Sequence, residues 1–340
     1  MYSDFMKEKL KFFLNIMRPA QWFKSFYIIF GAIPAILLMP VEPMLITYLL
    51  FLGIANMILI QGVIYIINDF ADIESDRKHP IKKFRAIASG NITKYEGIGF
   101  ALFLLITAFF ITAIVDIRIF YIDIALLLIN SLYSFKPIRL KDRKYFDMFS
   151  VAFNFPLRVM VGWFLFEPYN EARLSLSSII TSSKLDSNSI QYVLFKLSPH
   201  IFNVSITFSS VTLSFISIML FTYFLACFLL TEKRKAEKIS LKKAESFRKS
   251  LKYYSLATLK AISLISTIIV LFSFILMAIS FKIAFIFLTP ILAYSILWYY
   301  KLAFIKNSPV MYPEKIVTKT PKFIMLVAIT IILGVIILLT

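Results

Sequence analysis

MLITYLLFLGIANMILIQGVIYIINDFADIESDRKHPIKKFR, residues 44–85, joins an uncharged apolar run to a cluster of acids and then a cluster of bases. Residues 44–67 carry no charge, and at about 1.5 Å per residue a helix of that length crosses the hydrocarbon core of a bilayer. Asn68, Asp69, Asp72 and Asp76 follow at once, then Arg77, Lys78, His79, Lys82, Lys83 and Arg85. If the helix continues, a turn of about 100° per residue puts Asp69, Asp72 and Asp76 within an arc of about 60°, while Glu74 points away. Like charges that close raise one another's pKa, and an aspartate near the membrane costs about 2.5 to 3.5 kcal/mol, so a positive partner must compensate. Hard carboxylate oxygens suit Mg²⁺, which binds through one or two carboxylates and completes its shell with water and phosphate oxygens. Asn68 adds a neutral oxygen beside Asp72. The bases that follow suit phosphate oxygens, although cationic loops are also what membrane topology alone demands.

The rest of the chain reads the same way. It has 340 residues, 59% hydrophobic and 16% charged, and apolar stretches of span length recur along it, so the class is an all-α polytopic membrane protein. Nine spans are expected, near 22–40, 44–67, 95–115, 118–134, 145–166, 201–230, 254–279, 281–300 and 323–340. The chain forms a single transmembrane domain, 1–340, with an interfacial N-terminal arm (1–21) and a polar outer insert (168–200). Leu10, Phe13, Leu14 and Met17 are expected to face lipid from that arm. Its lysines and lack of a small-residue cleavage site are unlike a removed signal peptide. Lone Cys227 lies within an apolar run and reads as a small buried hydrophobe.

A net charge of +18 raises the question of nucleic acid. The bases instead alternate by loop. The N-terminal arm and the loops near 77–94, 135–144, 232–252 and 301–322 are dense in Lys and Arg, and the others hold few. That pattern places the N-terminus in the cytoplasm and the C-terminus outside, in a cell membrane whose anionic headgroups are the partner the excess charge needs.

Span five carries a second polar feature. Asp147, Asn154 and Arg158 point within about 20° of one another, so a polar stripe enters the membrane interior. Arg158 there implies a cavity and an anion, or else an ion pair with Asp147 or a motif aspartate.

The pattern N-D-x-x-D-x-x-x-D-x-x-H-P at 68–80, followed by Ser89-Gly90 and preceded by Arg18-Pro19, resembles the first aspartate-rich motif of the UbiA superfamily of intramembrane prenyltransferases. The resemblance implies a UbiA-type bundle in which Asp69, Asp72 and Asp76 hold Mg²⁺ against a diphosphate leaving group. Prenylating branches carry a second aspartate motif after span six, whereas TEKRKAEKISLKKAESFRKS at 231–250 has no aspartate. That segment, with RPAQWFK at 18–24 and YSFKPIRLKDRKYFDMFSVAFNFPLR at 133–158, is similar to the polyprenyl-phosphate phosphoribosyltransferase branch. Ala86, where a proline is usual, and the insert at 168–200 depart from it. The branch implies phosphoribosyl diphosphate and a polyprenyl phosphate as substrates, and Lys24, Lys141, Lys233, Arg234 and Glu237 as binding residues beside Asn68, Lys82, Lys83, Arg85, Asn154 and Arg158. His79 is read as a cap or phosphate contact. Trp22 lines the site through the resemblance alone, and Trp163 and Trp298 belong to span ends or the lipid face. The oligomeric state is left open, a homo-oligomer included. Prenyl transfer to an aromatic or alcohol acceptor is the first alternative, and a cation-binding transporter, which would place its acids near the midplane, is the second.

Overall fold

The computed structural model describes residues 2–38, 43–78, 82–167, 210–240, 248–312, 316 and 320–339. His79, His200 and the polar insert fall outside these residues. Among the described residues the regular structure is entirely helical. Helix α1 is Tyr2–Ile16; a 3₁₀ segment, Pro19–Ile28, runs into α2, Ile29–Leu38; then come α3, Pro43–Arg77, α4, Lys94–Val115, α5, Ile117–Ser134, and α6, Phe146–Phe164. The second half holds α7, Ser210–Ser240, α8, Leu256–Phe281, a 3₁₀ segment Ile283–Leu288 leading into α9, Thr289–Leu302, and α10, Pro321–Leu339.

Seven of these segments are long and apolar enough to cross a membrane. Helices α6 and α10, where the fifth and ninth spans are expected, are not among these seven, and α6 carries the polar stripe. The first and eighth are each part 3₁₀ and part α-helix.

Helix α3 packs on α4 and α5, α5 on α6, α6 on α2 and α7, and α7 on α8. Their boundaries have local causes. Thr93 and Glu96 form a reciprocal capping box at the start of α4, which satisfies otherwise orphaned N–H groups. Asp116 caps α5 through the Arg118 N–H at 2.7 Å, and Ser255 caps α8. Lys9 pairs with Glu96, tying α1 to the start of α4. At the opposite end of the bundle Arg118 Nη1 donates to Glu167 Oε2 at 2.6 Å, joining α5 to the end of α6.

Two expectations are corrected here. Leu10 and Leu14 are exposed, but Phe13 stacks against Phe100 at 4.8 Å and Met17 is buried, so half of the supposed lipid-facing stripe of the arm packs on α3 and α4. Trp163, read as lying at a span end or on the lipid face, is at the end of α6 and buried in the main core, and its Nε1 donates to Glu167 Oε1 at 3.1 Å, because an indole N–H needs a partner wherever it is placed. Helix α7 runs to Ser240 rather than ending at residue 230. Glu, Lys, Arg and Ala are strong helix formers, so the helix outlasts the apolar part of its sequence. Cys227 is buried, as expected.

Helices α2 and α6 cross at backbone contact. A Cβ on Gly162 would lie 1.8 Å from the Ile28 carbonyl oxygen, and one on Gly31 would lie 1.9 Å from that of Val159. Small residues permit such approaches where van der Waals packing holds membrane helices together. Gly162→Ala should therefore lower stability by about 1–3 kcal/mol, seen as earlier thermal unfolding in detergent. Gly99→Ala, inside α4 with nothing within 4 Å of the added carbon, should not lower the transition and should raise it slightly, since alanine is the better helix former.

Candidate active site

The last turns of α3 present the three aspartates, with Glu74 exposed on another face. Asp69 and Asp76 are buried at 4% and 2% exposure, and Asp72 is half-buried. Each is met by cations from other parts of the chain. Arg85 Nη1 bridges two of them, at 3.1 Å from Asp69 Oδ1 and 2.7 Å from Asp76 Oδ2. Arg18 also donates to Asp69 Oδ1 and lies 4.5 Å over the Tyr65 ring. Lys82 Nζ stands 3.9 Å from Asp76. Asp72 turns to a different pair, accepting from Arg139 Nη2 at 3.1 Å and from Lys141. Thus Lys82, Arg85 and Lys141, read from the sequence as binding residues, lie against the aspartates, and Arg18 and Arg139 join them.

Arg18 and Arg139 share an unusual backbone. Their φ values are +51° and +41°, in the left-handed region that non-glycine residues seldom occupy. Such residues cost of order 1–3 kcal/mol and persist where their surroundings fix them. Here each delivers its guanidinium to a motif aspartate.

Other expected residues are placed differently. The Asn68 side-chain oxygen accepts from Ser134 Oγ on α5 rather than standing open beside Asp72. Lys83 is exposed, its ammonium 5.1 Å over the Phe84 ring, and Lys24 lies 6.0 Å from the Phe23 ring. Lys233 is half-buried on α7. Trp22 donates to the Met17 carbonyl at 3.2 Å.

The polar stripe of α6 does enter the protein: Asp147, Asn154 and Arg158 are all buried. Asp147 pairs with Arg234, not with Arg158. Its Oδ2 accepts from Arg234 Nε at 2.9 Å and from Ser250 Oγ at 2.9 Å, and its Oδ1 accepts from Tyr254 Oη at 2.7 Å. Burial, reinforced by that hydrogen bond, holds the Tyr254 hydroxyl well above the ordinary tyrosine range, so it stays a donor. Arg234 also meets Glu237 at 3.4 Å, and Glu237 meets Arg248 at 3.7 Å. One turn away Glu232 is fully buried with Lys235 at 2.8 Å and accepts from Ser263 Oγ, while Lys235 lies 3.9 Å from the Tyr300 ring. Both acids at this end of α7 are thus engaged within the second half of the bundle. Arg234 thus clasps α7 to α6 through Asp147, with Glu237 supporting it from the next turn of α7.

The chemistry of the donor set at the end of α3 fits Mg²⁺: hard carboxylate oxygens only, with basic side chains alongside. Among the described residues no three His, Cys, Asp or Glu side chains converge closely enough to hold an ion by themselves. An Mg²⁺ held there would use one or two of Asp69, Asp72 and Asp76 and take its remaining oxygens from a diphosphate and water, which is its usual habit.

The sequence profile of the UbiA prenyltransferase family matches residues 27–311. The chain belongs to this family, and it is accordingly a multi-pass membrane transferase. Solved structures agree on the fold. A UbiA homologue from Archaeoglobus fulgidus bound to GPP and Mg²⁺ superposes with a TM-score of 0.61 at 15% identity, over 97% of this chain and 100% of that one. Its complex with DMAPP and Mg²⁺ gives a TM-score of 0.59 at 16% identity, over 94% and 98%. A digeranylgeranylglyceryl phosphate synthase gives 0.55 at 16% identity, over 98% and 96%. The uncharacterized protein y4nM of Sinorhizobium fredii (strain NBRC 101917 / NGR234) is 36% identical over 104 residues, 31% of this chain and only 20% of that protein's length.

Proposed function

We propose that the chain transfers phosphoribose from phosphoribosyl diphosphate to a polyprenyl phosphate, with the aspartate end of the bundle facing the cytoplasm as the distribution of Lys and Arg requires. The observation that carries this reading is the charge at the end of α3. Five basic side chains, Arg18, Lys82, Arg85, Arg139 and Lys141, converge on three aspartates, and the acids of α7 are already paired with bases of their own. A reaction between a donor with a diphosphate and a 5-phosphate and an acceptor that is itself a phosphate asks for one metal-binding acidic face and many cations. Transfer of a prenyl group to a neutral acceptor asks for fewer.

The C1–oxygen bond of the sugar breaks and its electron pair leaves with the diphosphate, while an oxygen of the lipid phosphate forms the new bond to C1. One or two of Asp69, Asp72 and Asp76 would hold Mg²⁺, which when bound would neutralise the leaving diphosphate. Arg85, Lys82 and Arg18 are placed to share that charge as it develops, and Arg139 and Lys141 to hold the donor in register. The acceptor is already anionic, so no strong general base is required.

Prenyl transfer is the second reading, favoured by the prenyl diphosphates in the Archaeoglobus homologue. The two separate in one assay. With Mg²⁺ and a polyprenyl phosphate, purified protein is expected to convert phosphoribosyl diphosphate into a phosphoribosylated lipid and free diphosphate, and to form nothing from a polyprenyl diphosphate and an aromatic acid. Prenylated product with no phosphoribosylated lipid would reverse the assignment.

A further inference from the structure

Of the three polar residues on the buried stripe of α6, two have their hydrogen bonds filled. Asp147 is satisfied by Arg234, Ser250 and Tyr254. The Asn154 oxygen accepts from Asn130 Nδ2 at 2.8 Å, and its amide donates to the Val151 and Ser150 carbonyls at 3.2 and 3.4 Å. Arg158 differs. Its Nη1 donates to the Asn154 carbonyl at 3.3 Å, while Nε and Nη2 donate to no described residue and no described carboxylate pairs with it. It is nonetheless only 8% exposed. A guanidinium has five N–H donors in a rigid fork and cannot shed its proton, and a lone buried charge costs several kcal/mol.

The position of this cation suggests what offsets that cost. Asn154, one turn before Arg158 on α6, is held by Asn130, which lies one turn before Ser134, the partner of Asn68 beside Asp69, while Tyr27 packs edge-on against Phe155 at 4.9 Å and the face of Tyr65 carries Arg18, the partner of Asp69. Tyr65 is one helical turn before Asp69 on α3. Arg158 therefore lies deeper in the bundle than the aspartates, one turn beyond the Asn154–Asn130 contact. The bases around the aspartates already serve the face that would take a diphosphate, which leaves Arg158 for a different anion.

We infer that Arg158 anchors the anionic group of the acceptor, positioning it on the inner side of the donor's diphosphate. This rests on the proposed reaction for the identity of the acceptor, a lipid phosphate, whose geometry the guanidinium fork matches through two parallel hydrogen bonds. A carboxylate acceptor would present the same chemistry, and the experiment separates the two.

Binding of geranylgeranyl phosphate, geranylgeraniol and 4-hydroxybenzoate is measured on purified protein in nanodiscs, for the wild type, Arg158→Met and Arg158→Lys. The wild type should prefer the phosphate over the alcohol, and Arg158→Met should reduce that preference about ten- to a hundredfold, as the loss of a charge-assisted contact predicts. Arg158→Lys should retain part of it. Binding of phosphoribosyl diphosphate with Mg²⁺ should be unchanged in all three. The melting temperature of Arg158→Met should equal or exceed that of the wild type, because a neutral side chain replaces a partnerless charge. Equal affinity for phosphate and alcohol in the wild type, preference undiminished in Arg158→Met, an equal loss of donor binding, or unfolding of Arg158→Met would each overturn the inference. An Arg158-dependent preference for 4-hydroxybenzoate over the lipid phosphate would uphold the anion anchor and sink the phosphoribosyl reading. Tight phosphate binding without phosphoribosylated product would likewise separate the two.

Discussion

Asp72→Asn is expected to lower kcat on the order of 10²- to 10³-fold, the scale seen when one preorganised electrostatic group is removed from a reaction centre, while leaving the protein folded. The substitution keeps shape and removes charge. Asp72 is half-buried and its partners, Arg139 and Lys141, retain access to solvent, so the stability cost should be small. Asp69→Asn should abolish turnover as well. There the buried carboxylate is shared by Arg18 and Arg85, and its loss leaves two guanidiniums facing each other, so some destabilisation should accompany it. Turnover is followed with the donor that the paired assay identifies, and folding by thermal unfolding in detergent. Near wild-type turnover of either variant at limiting Mg²⁺ would remove the aspartates from the chemistry.

Asp147→Ala should give the opposite signature. It strips the carboxylate from a buried guanidinium, a serine and a tyrosine at once, and Arg234 is only 2% exposed. Breaking a buried ion pair by deleting one partner costs about 3–5 kcal/mol, so a large drop in melting temperature is expected. Asp147→Asn, which can still accept from Tyr254 and Ser250, should recover part of the loss. If Asp147→Ala unfolded at the wild-type temperature, the clasp between α6 and α7 would not hold the two halves together.

The helical class and the common face of Asp69, Asp72 and Asp76 were legible in the sequence because both follow from period and length along one element. Their partners were not. Arg18, Lys141 and Arg139 reach the aspartates from the start of the first 3₁₀ segment and from the connection between α5 and α6, and no periodicity links those places. The left-handed backbone that aims Arg18 and Arg139 leaves no mark on residue type, and Arg18 stood out only as half of an Arg-Pro pair. The pairing of Asp147 with Arg158 had a legible flaw. The two share a direction on α6, but eleven residues separate them by about 16 Å along the axis, farther than an arginine reaches. Angular proximity on a helical wheel says nothing about rise. The end of α7 was misplaced for a related reason, since the point where apolar residues stop marks the membrane boundary and the helix continues past it.

The bridges at the end of α3 leave two more cations than carboxylates in contact there. Before any substrate arrives, that end of the bundle already attracts anions, and it does so within a Debye length of the lipid headgroups if the span ends where its apolar run ends. For the soluble donor proposed above, capture would then be a competition. Phosphatidylserine-like or other acidic headgroups contend for the same basic side chains, and dissolved salt weakens both contenders. The apparent affinity for a soluble polyanion is therefore a joint property of the protein and of the bilayer around it, and a value measured in neutral detergent describes only one of the two.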